Sequence, residues 1–399
     1  MRTLLVLFLF AQFGVQAQEF LEETRMSGPR VFLFAEDFYS RAQVKVKQGS
    51  YLLKGYNKDS TYVREYGPDD VHPLYTFRAE LMINRTEFDS ITFYSNDTIV
   101  LRVLRGGKWT EERPYIGKLT LRNNLIYIDA IARCSMEDYL AGVVEAEGGL
   151  AGRGSYLQAQ AVLARTWLMS NEKKHIKDGF HVKDDQSSQA FKGVAHGGHA
   201  EEVMRAVLSV QDTVALYNGK PIIGFYHSNS GGQTVLPQDV WSQSLPYCRK
   251  VVDPFSLKGS KLNWTQSHTW EEWNGYWTRI YVDLSKEEWD QFFQNLPSDR
   301  LSHWTFGEEK HKLETARRAF KWRSTFVQCE ATEAGVVVTG KGFGHGVGMA
   351  QQGAMHMAAS GFTWQEILDF YFKDLTYDLV NKPKFFTTFS FLRFCGQFL

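Results

Sequence analysis

The chain has 399 residues, 43% of them hydrophobic, with 45 basic residues balanced by 45 acidic ones. That is enough apolar material for one large or two moderate domains. A formal net charge of zero removes any electrostatic case for binding nucleic acid. Aromatic residues make up 15%, including 11 Trp, a content that suits stacking on sugar rings and equally suits a large core.

Arg2, the apolar run Leu4–Val15 and then Val15-Gln16-Ala17 read as a secretory signal peptide over residues 1–17, cleaved before Gln18. The run is too short and wrongly flanked for a membrane span, and nothing later reaches that length. The mature chain is therefore expected outside the cytoplasm, secreted or periplasmic, with no transmembrane segment. No Cys lies near the cleavage site to carry a lipid. Cys134, Cys248, Cys329 and Cys395 are far apart and show no CxxC spacing. Outside the cytoplasm they permit one or two disulfides, which spacing does not pair, and they argue against a clustered metal site. The N-x-[ST] sequons at Asn84, Asn96 and Asn263 carry meaning only in a eukaryotic source.

Residues 19–130 read mostly as β structure, an accessory sheet leading into the main domain at 131–380. Val31–Ala35, Gln43–Lys47, Thr98–Val103 and Leu125–Ile131 are short runs of β-branched or aromatic residues broken by Gly, Asn and Asp clusters. At Ser135 the period changes. Ser135-Met136-Glu137-Asp138 is a capping box, after which Met136, Tyr139, Leu140, Val143 and Val144 recur at helical spacing until Gly148-Gly149. At 100° per residue, Glu147 lies within about 20° of Leu140 and Met136 and about 40° of Val143, so it continues the apolar stripe. Glu145 falls on the opposite side and is expected to face water. A carboxylate on the inward face is desolvated and meets the negative end of the helix dipole; both raise its pKa, as a general acid requires. An end-of-helix Glu can also simply swing into solvent.

A second helix runs from Ser155 (YLQAQAVLARTWLMS) and is apolar enough to be buried. Its Arg165 needs a carboxylate, a carbonyl or a ligand to offset desolvation. His175, His181, His196 and His199 lie in a polar stretch, and Gly197-Gly198 inside the H-x-x-H argues for solvated loop histidines over a metal site. Thr213–Tyr217, Asn218-Gly219 and Pro221–His227 form a hairpin signal. Its second strand runs into His227-Ser228-Asn229-Ser230-Gly231-Gly232, where a Ser nucleophile with His227 or His345 as base is conceivable but lacks a GxSxG elbow. Phe255–Arg323 is Trp-rich, with an amphipathic helix near Ser285–Asn295. Phe320–Glu330 then feeds a strand at Gly335–Thr339.

The densest motif follows. Gly342, Gly344, Gly346 and Gly348 alternate with Phe343, His345, Val347 and Met349, then give way to an Ala/Gln/Met helix closed by Gly361. A lone His thus sits in a glycine loop opening a helix, where free N–H groups can meet an acceptor. Neither GxxxxGK[ST] nor GxGxxG fits it. Thr363-Trp364-Gln365-Glu366 is another capping box, with Trp364, Ile367, Leu368 and Tyr371 as a buried stripe. The apolar tail 381–399 receives no role.

Three ordered blocks make the chain similar to the SpoIID/LytB family. Glu137–Glu147 (EDYLAGVVEAE) resembles E-x-Y-L-x-G-V-V-x-x-E, followed by Gln158–Trp167 (QAQAVLARTW) as K-A-Q-A-x-A-A-R-T-Y follows it. Phe225–Thr234 (FYHSNSGGQT) resembles the S-G-G-x-T strand, and Gly342–Ala354 (GFGHGVGMAQQGA) resembles G-x-G-H-G-x-G-M-S-Q-x-G-A. The match spans roughly 125–375, with Ala350 in place of the usual Ser. The resemblance implies an α+β fold, a catalytic domain of mixed helices and antiparallel sheet behind a β-rich N-terminal region. It implies a lytic transglycosylase that cleaves peptidoglycan between N-acetylmuramic acid and N-acetylglucosamine, leaving 1,6-anhydro ends, with Glu147 as acid and base. Arg165, Tyr226, His227, Ser230, His345 and Gln351 would line the sugar groove, His345 on one wall and Glu147 on the other. A His345→Ala variant would then bind glycan less well while keeping its fold. Some members carry a C-D-x-x-H-C-Q zinc motif; here the stretch reads Lys183-Asp184-Asp185-Gln186-Ser187-Ser188-Gln189, so no metal and no other cofactor is expected. The LytB side of the family implies an alternative, a glycan-binding activator of a cell-wall amidase. A two-carboxylate hydrolase is a third reading.

Overall fold

The computed structural model describes residues 26–58, 60–68, 70–148, 154–241 and 243–379. The expected signal peptide and C-terminal tail lie outside them. The fold is α+β with mostly antiparallel sheets and a β-rich N-terminal part, as expected. Among the described residues no helix is long and apolar enough to cross a membrane. Contacts group the chain into two compact units. One comprises Met1–Leu150, Leu168–Thr213 and Leu379–Leu399; the other comprises Ala151–Trp167 and Val214–Asp378.

The first unit is built on a sheet whose strands are β1 (Arg30–Leu33), β2 (Arg41–Val46), β3 (Tyr51–Asn57), β4 (Ser60–Tyr66), β5 (Val71–Phe77), β6 (Glu80–Ile83), β7 (Thr86–Phe88), β8 (Ser90–Arg105), β9 (Lys108–Trp109), β10 (Arg113–Asn124), β11 (Tyr127–Arg133) and β12 (Val182–Lys183). Their main order is β12-β1-β11-β10-β8-β2-β5-β6-β7, with β3 and β9 also on β8. Burial alternates along β2 and β3, the period of a sheet with one face covered. The backbone of the sheet is β8. Its first half pairs with β3 (Leu53↔Phe93) and its second half with β2 (Val44↔Leu101). The sequence signal for β8 covers only Thr98–Val103, because Ser95-Asn96-Asp97 interrupts the apolar run in the middle of the strand.

Helix α1 (Met136–Gly148) follows β11 directly. The Ser135 hydroxyl accepts the Asp138 N–H at 3.0 Å and caps its first turn. Met136, Tyr139, Leu140, Val143 and Val144 are buried, as the helical spacing requires. The buried helix α2 (Gly154–Ser170) comes next, then α3 (Ala200–Ser209), which packs on α1. His196 and His199 are solvated, their side chains 52% and 51% exposed.

In the second unit, Asn218 and Gly219, both at positive φ, turn β13 (Thr213–Tyr217) back onto β14 (Lys220–Pro221). The return strand is shorter than expected and ends at Pro221. Tyr226 and His227 form a separate strand β15, which pairs in parallel with β21 (Met349–Ala350) beyond the glycine loop. Between these segments lies a satellite core bounded by β16 (Asn263–Thr269), β19 (Phe326–Ala331) and β20 (Gly335–Lys341), which form one antiparallel sheet in the order β16-β20-β19. Trp273, Trp277, Trp289, Trp304 and Trp322 are each at most 2% exposed within it. Of the two uses the Trp content allowed, this cluster serves as core. The expected amphipathic helix is Lys286–Gln294, capped by Ser285 and burying Trp289 and Phe293. Strand β20 leaves this core and enters the glycine loop, so the Trp cluster anchors one end of the loop.

Candidate functional site

Each unit contains one of the two centres pointed to by the sequence. In the first unit, Glu147 stands in the last turn of α1, half-buried. Its Oε1 accepts the Ala190 N–H at 2.7 Å. The segment that presents Ala190 is tied down on both sides. Asp184 accepts the N–H groups of Phe34 and Ala35 at 2.6 and 3.0 Å and an Nη1 bond from Arg113 at 2.8 Å. Burial pushes the Asp184 carboxyl up from its ordinary value, against the pull of those donors. Gln189, fully buried, accepts the Tyr139 hydroxyl at 3.0 Å. Burial raises the Tyr139 phenol well above its ordinary range, and the Cys134 and Glu147 charges add to the effect. The segment also crosses α1 closely. A Cβ on Gly142 would lie 2.2 Å from the Gly193 carbonyl and 2.6 Å from the Phe191 ring, so only glycine fits there.

Segment Lys183–Gln189 is thus held by its Asp184 carboxylate and its Gln189 amide, the latter on the Tyr139 phenol, and it leads into the Ala190 N–H on Glu147. Glu145 corrects an expectation. Instead of facing water it is 13% exposed and accepts the N–H groups of His196 and Gly197 at 3.1 and 2.9 Å.

In the second unit the glycine loop folds over β15. Gly342, Gly344, Gly346 and Gly348 all have positive φ, and at each a Cβ would meet backbone or buried side chain below 3 Å. The Phe343 and Asn229 backbones bridge each other, and the Val235 N–H donates to the Gly346 carbonyl at 2.8 Å. His345 accepts the Val347 N–H on Nδ1 at 3.0 Å and bonds the Tyr226 carbonyl through its other nitrogen. Its ring sits against Trp241 and His227, with centroids 5.0 and 5.5 Å away. Burial and the nearby Arg317 and Arg300 charges hold it down at about 4, so it is neutral. His227 bonds the Val347 carbonyl through Nδ1 at 3.1 Å, which fixes the proton there. Its buried Nε2 then carries the lone pair and has no protein partner among the described residues. Desolvation and the neighbouring His345 lower it well below the ordinary imidazole value.

Beneath the loop lies a polar layer that the sequence did not reveal. Asp253, fully buried, accepts Ser230 at 2.8 Å, Ser256 at 2.5 Å and Tyr371 at 3.1 Å on Oδ2, and the Ser256 N–H at 3.1 Å on Oδ1. Arg300, 2% exposed, donates from Nη1 to the Ser230 and Gln233 carbonyls, both at 3.1 Å, and from Nε to Thr325. Burial lowers its guanidinium to about 10. Asn229 donates to the Ser256 carbonyl at 2.9 Å and to Gln352 at 2.8 Å. Asp253 and Arg300 do not announce themselves in sequence, since most of their partners lie 23 to 118 positions away.

Tyr226, His227, Ser230, His345 and Gln351 are thus brought together around one loop, where Ser230 and His345 hold the fold. Ser230 is fully buried with its hydroxyl on Asp253; it supports the loop and is neither a nucleophile nor a surface ligand. His345 holds the loop's backbone with both nitrogens, so truncating it disturbs the fold as well. Gln351 is 7% exposed at the start of α8, helix Gln351–Ala359. Of that helix's first N–H groups, the one on Gln352 already donates to the Ser228 carbonyl at 3.0 Å. (The intervening short helices α4 to α7 are Pro237–Val240, Trp270–Trp277, Lys286–Gln294 and Leu313–Phe320.) Arg165 belongs to the same unit and is 2% exposed within α2. Cys134, Cys248 and Cys329 are free thiols; Cys395 lies outside the described residues.

Comparison with known proteins bears on the first of these centres. Residues 127–217 match the stage II sporulation protein family SpoIID, a span that includes α1, Glu147 and the segment that presents Ala190. The chain is 26% identical over 258 residues to stage II sporulation protein D of Bacillus amyloliquefaciens, covering 61% of this chain and 74% of that one. With the protein of the same name from Bacillus subtilis the identity is 27% over the same length and coverage. It is also 25% identical over 296 residues to the amidase enhancer of Bacillus subtilis, covering 59% of this chain and 40% of that one. This likeness and the ordered motifs that carry it support assignment of the chain to the SpoIID family.

Proposed function

We propose that this protein is a lytic transglycosylase of peptidoglycan, exported from the cytoplasm by the signal peptide at residues 1–17, with Glu147 as its single acid and base. The observation that supports this reading is the setting of Glu147, half-buried at the end of an apolar helix and fixed by the Ala190 N–H at 2.7 Å. The proton to be delivered is carried by the Glu147 carboxyl, whose Oε1 accepts the Ala190 N–H. Glu147 passes that proton to the glycosidic oxygen as the C1–O bond of N-acetylmuramic acid breaks. The carboxylate so formed takes the proton of the C6 hydroxyl, whose oxygen bonds to C1 and closes the anhydro ring. The nucleophile is part of the substrate, so one carboxylate suffices where a hydrolase uses two.

Replacing Glu147 by Gln keeps the acceptor for Ala190 and removes the proton. Release of anhydro-ended fragments from purified glycan strands, followed by mass spectrometry, should fall by about 10²–10⁴-fold, the usual worth of a general acid. Wild-type product levels in that variant would falsify the assignment. A second reading is favoured by the likeness to the amidase enhancer: a glycan-bound activator of a cell-wall amidase. It predicts stimulation of such an amidase that survives Glu147→Gln.

A further inference from the structure

The tip of the glycine loop carries a second feature that the chemistry at Glu147 does not use. Phe343, 38% exposed, lies between two cations: Lys261 Nζ is 5.3 Å and Arg323 Cζ 5.8 Å from its ring centroid. Lys341, two residues before it, lies 5.6 Å from the Phe326 ring. All three cationic side chains are exposed. None of the three has a carboxylate partner among the described residues, whereas Arg113, Lys286, Arg317 and Arg318 each pair with an acid. In a chain with a formal net charge of zero, three unneutralised cations gathered at one loop are a local arrangement rather than a consequence of composition. The ring holds the two nearest cations by their attraction to its face, which leaves their N–H donors directed to solvent. Arginine adds a planar fork suited to an oxyanion.

We propose that Lys261 and Arg323, organised on Phe343, together with Lys341 two residues before it, form an anion clasp that binds carboxylate groups carried by the glycan strand. The proposal rests on the reading of this protein as one that engages peptidoglycan, whose own anionic groups are carboxylates, and it names the substituent recognised in that polymer. The clasp sits at the tip of the loop that packs over His227 and carries His345, so a bound carboxylate fixes the strand against that loop. The part of Phe343 that stays exposed gives an apolar edge for the adjacent sugar.

The test uses purified full-length mature chain and peptidoglycan sacculi stripped of phosphate polymers with hydrofluoric acid. One half is amidated with carbodiimide and methylamine to neutralise its carboxylates. In co-sedimentation, wild type should bind amidated sacculi about five- to ten-fold more weakly than unmodified ones, as expected for loss of two or three exposed ion pairs. The Lys261→Ala/Arg323→Ala variant should bind unmodified sacculi as weakly as wild type binds amidated ones, and should ignore amidation. Both positions are exposed, and an unchanged thermal transition followed by Trp fluorescence confirms that the variant is folded. Lys310→Ala/Arg279→Ala, removing exposed cations elsewhere, should behave as wild type. Equal binding of wild type to both preparations, or a clasp variant as amidation-sensitive as wild type, overturns the proposal. Stronger binding to sacculi that retain phosphate polymers, with no effect of amidation, overturns it in favour of a phosphate ligand. Anhydro ends are scored in the same samples. Their absence with carboxylate-dependent binding intact rejects the transglycosylase reading and leaves the clasp standing.

Discussion

At the scale of single residues, both centres depend on side chains that fix backbone groups. Glu147 is the residue whose position in sequence says most, because one helical face and one family motif select it independently. What sequence could not supply was its partner, the Ala190 N–H, which arrives through Gln189 and Tyr139. Tyr139→Phe removes a buried hydrogen bond and leaves the Gln189 carbonyl oxygen short of a donor. It should cost about 1–3 kcal/mol of stability by denaturant titration. If the proposed chemistry is right, it should also lower the rate of anhydro-end release far less than Glu147→Gln does.

The histidines set a pH dependence. His345 and His181 are each held at about 4, and His227 well below its ordinary value, chiefly by burial. Between an ordinary imidazole value of about 6.5 and 4, the unfolded chain binds protons that the folded chain refuses, so stability rises with pH across that window. The contribution is fully present above pH of about 6.5 and is lost as the pH falls toward 4. Denaturation midpoints measured from pH 7.5 to 4.5 should fall accordingly. His345→Gln, which can still accept the Val347 N–H, should flatten the slope.

At the scale of elements, glycines separate structural need from mere tolerance. Gly353 lies inside α8, where a Cβ would stand 2.2 Å from the Tyr371 hydroxyl and 2.8 Å from the Asp253 carboxylate. Gly353→Ala should therefore destabilise the chain by about 1–3 kcal/mol in spite of its better helix propensity. Gly275 lies inside the helix Trp270–Trp277 with nothing within 4 Å of its would-be Cβ. Gly275→Ala should stabilise by about 0.5–1 kcal/mol, and thermal melts of the two variants should move in opposite directions.

Elements marked by local signals were legible in the sequence. The caps at Ser135, Ser285 and Thr363 and the Asn218-Gly219 turn are set by neighbours three or four residues away. Gly361, at φ 92°, ends α8 as expected. Trp364, expected to be buried, is half-buried against Tyr377. Structure made by distant pairing was not legible. Strand β15 belongs to β21 and not to the hairpin, because Tyr226 finds Met349 across the glycine loop. Asp253 and Arg300 look like ordinary loop charges until the fold encloses them.

At the scale of the whole molecule, the Trp content proves to be a folding device in the second unit. Trp273, Trp277, Trp289, Trp304 and Trp322 should emit at short wavelength in the native state and shift red in one transition. Trp289→Ala should cost about 3–5 kcal/mol. That core carries β20 into the glycine loop, so its loss should also weaken glycan binding.

The proposed chemistry rests on the family likeness and on the setting of Glu147. The most direct test is the mass of the glycan fragments that wild-type protein releases from purified, denuded strands. The account predicts ends lighter by one water than hydrolytic products, carrying the 1,6-anhydro ring, and their disappearance with Glu147→Gln. Hydrated reducing ends, or no cleavage by the wild-type protein, would contradict it.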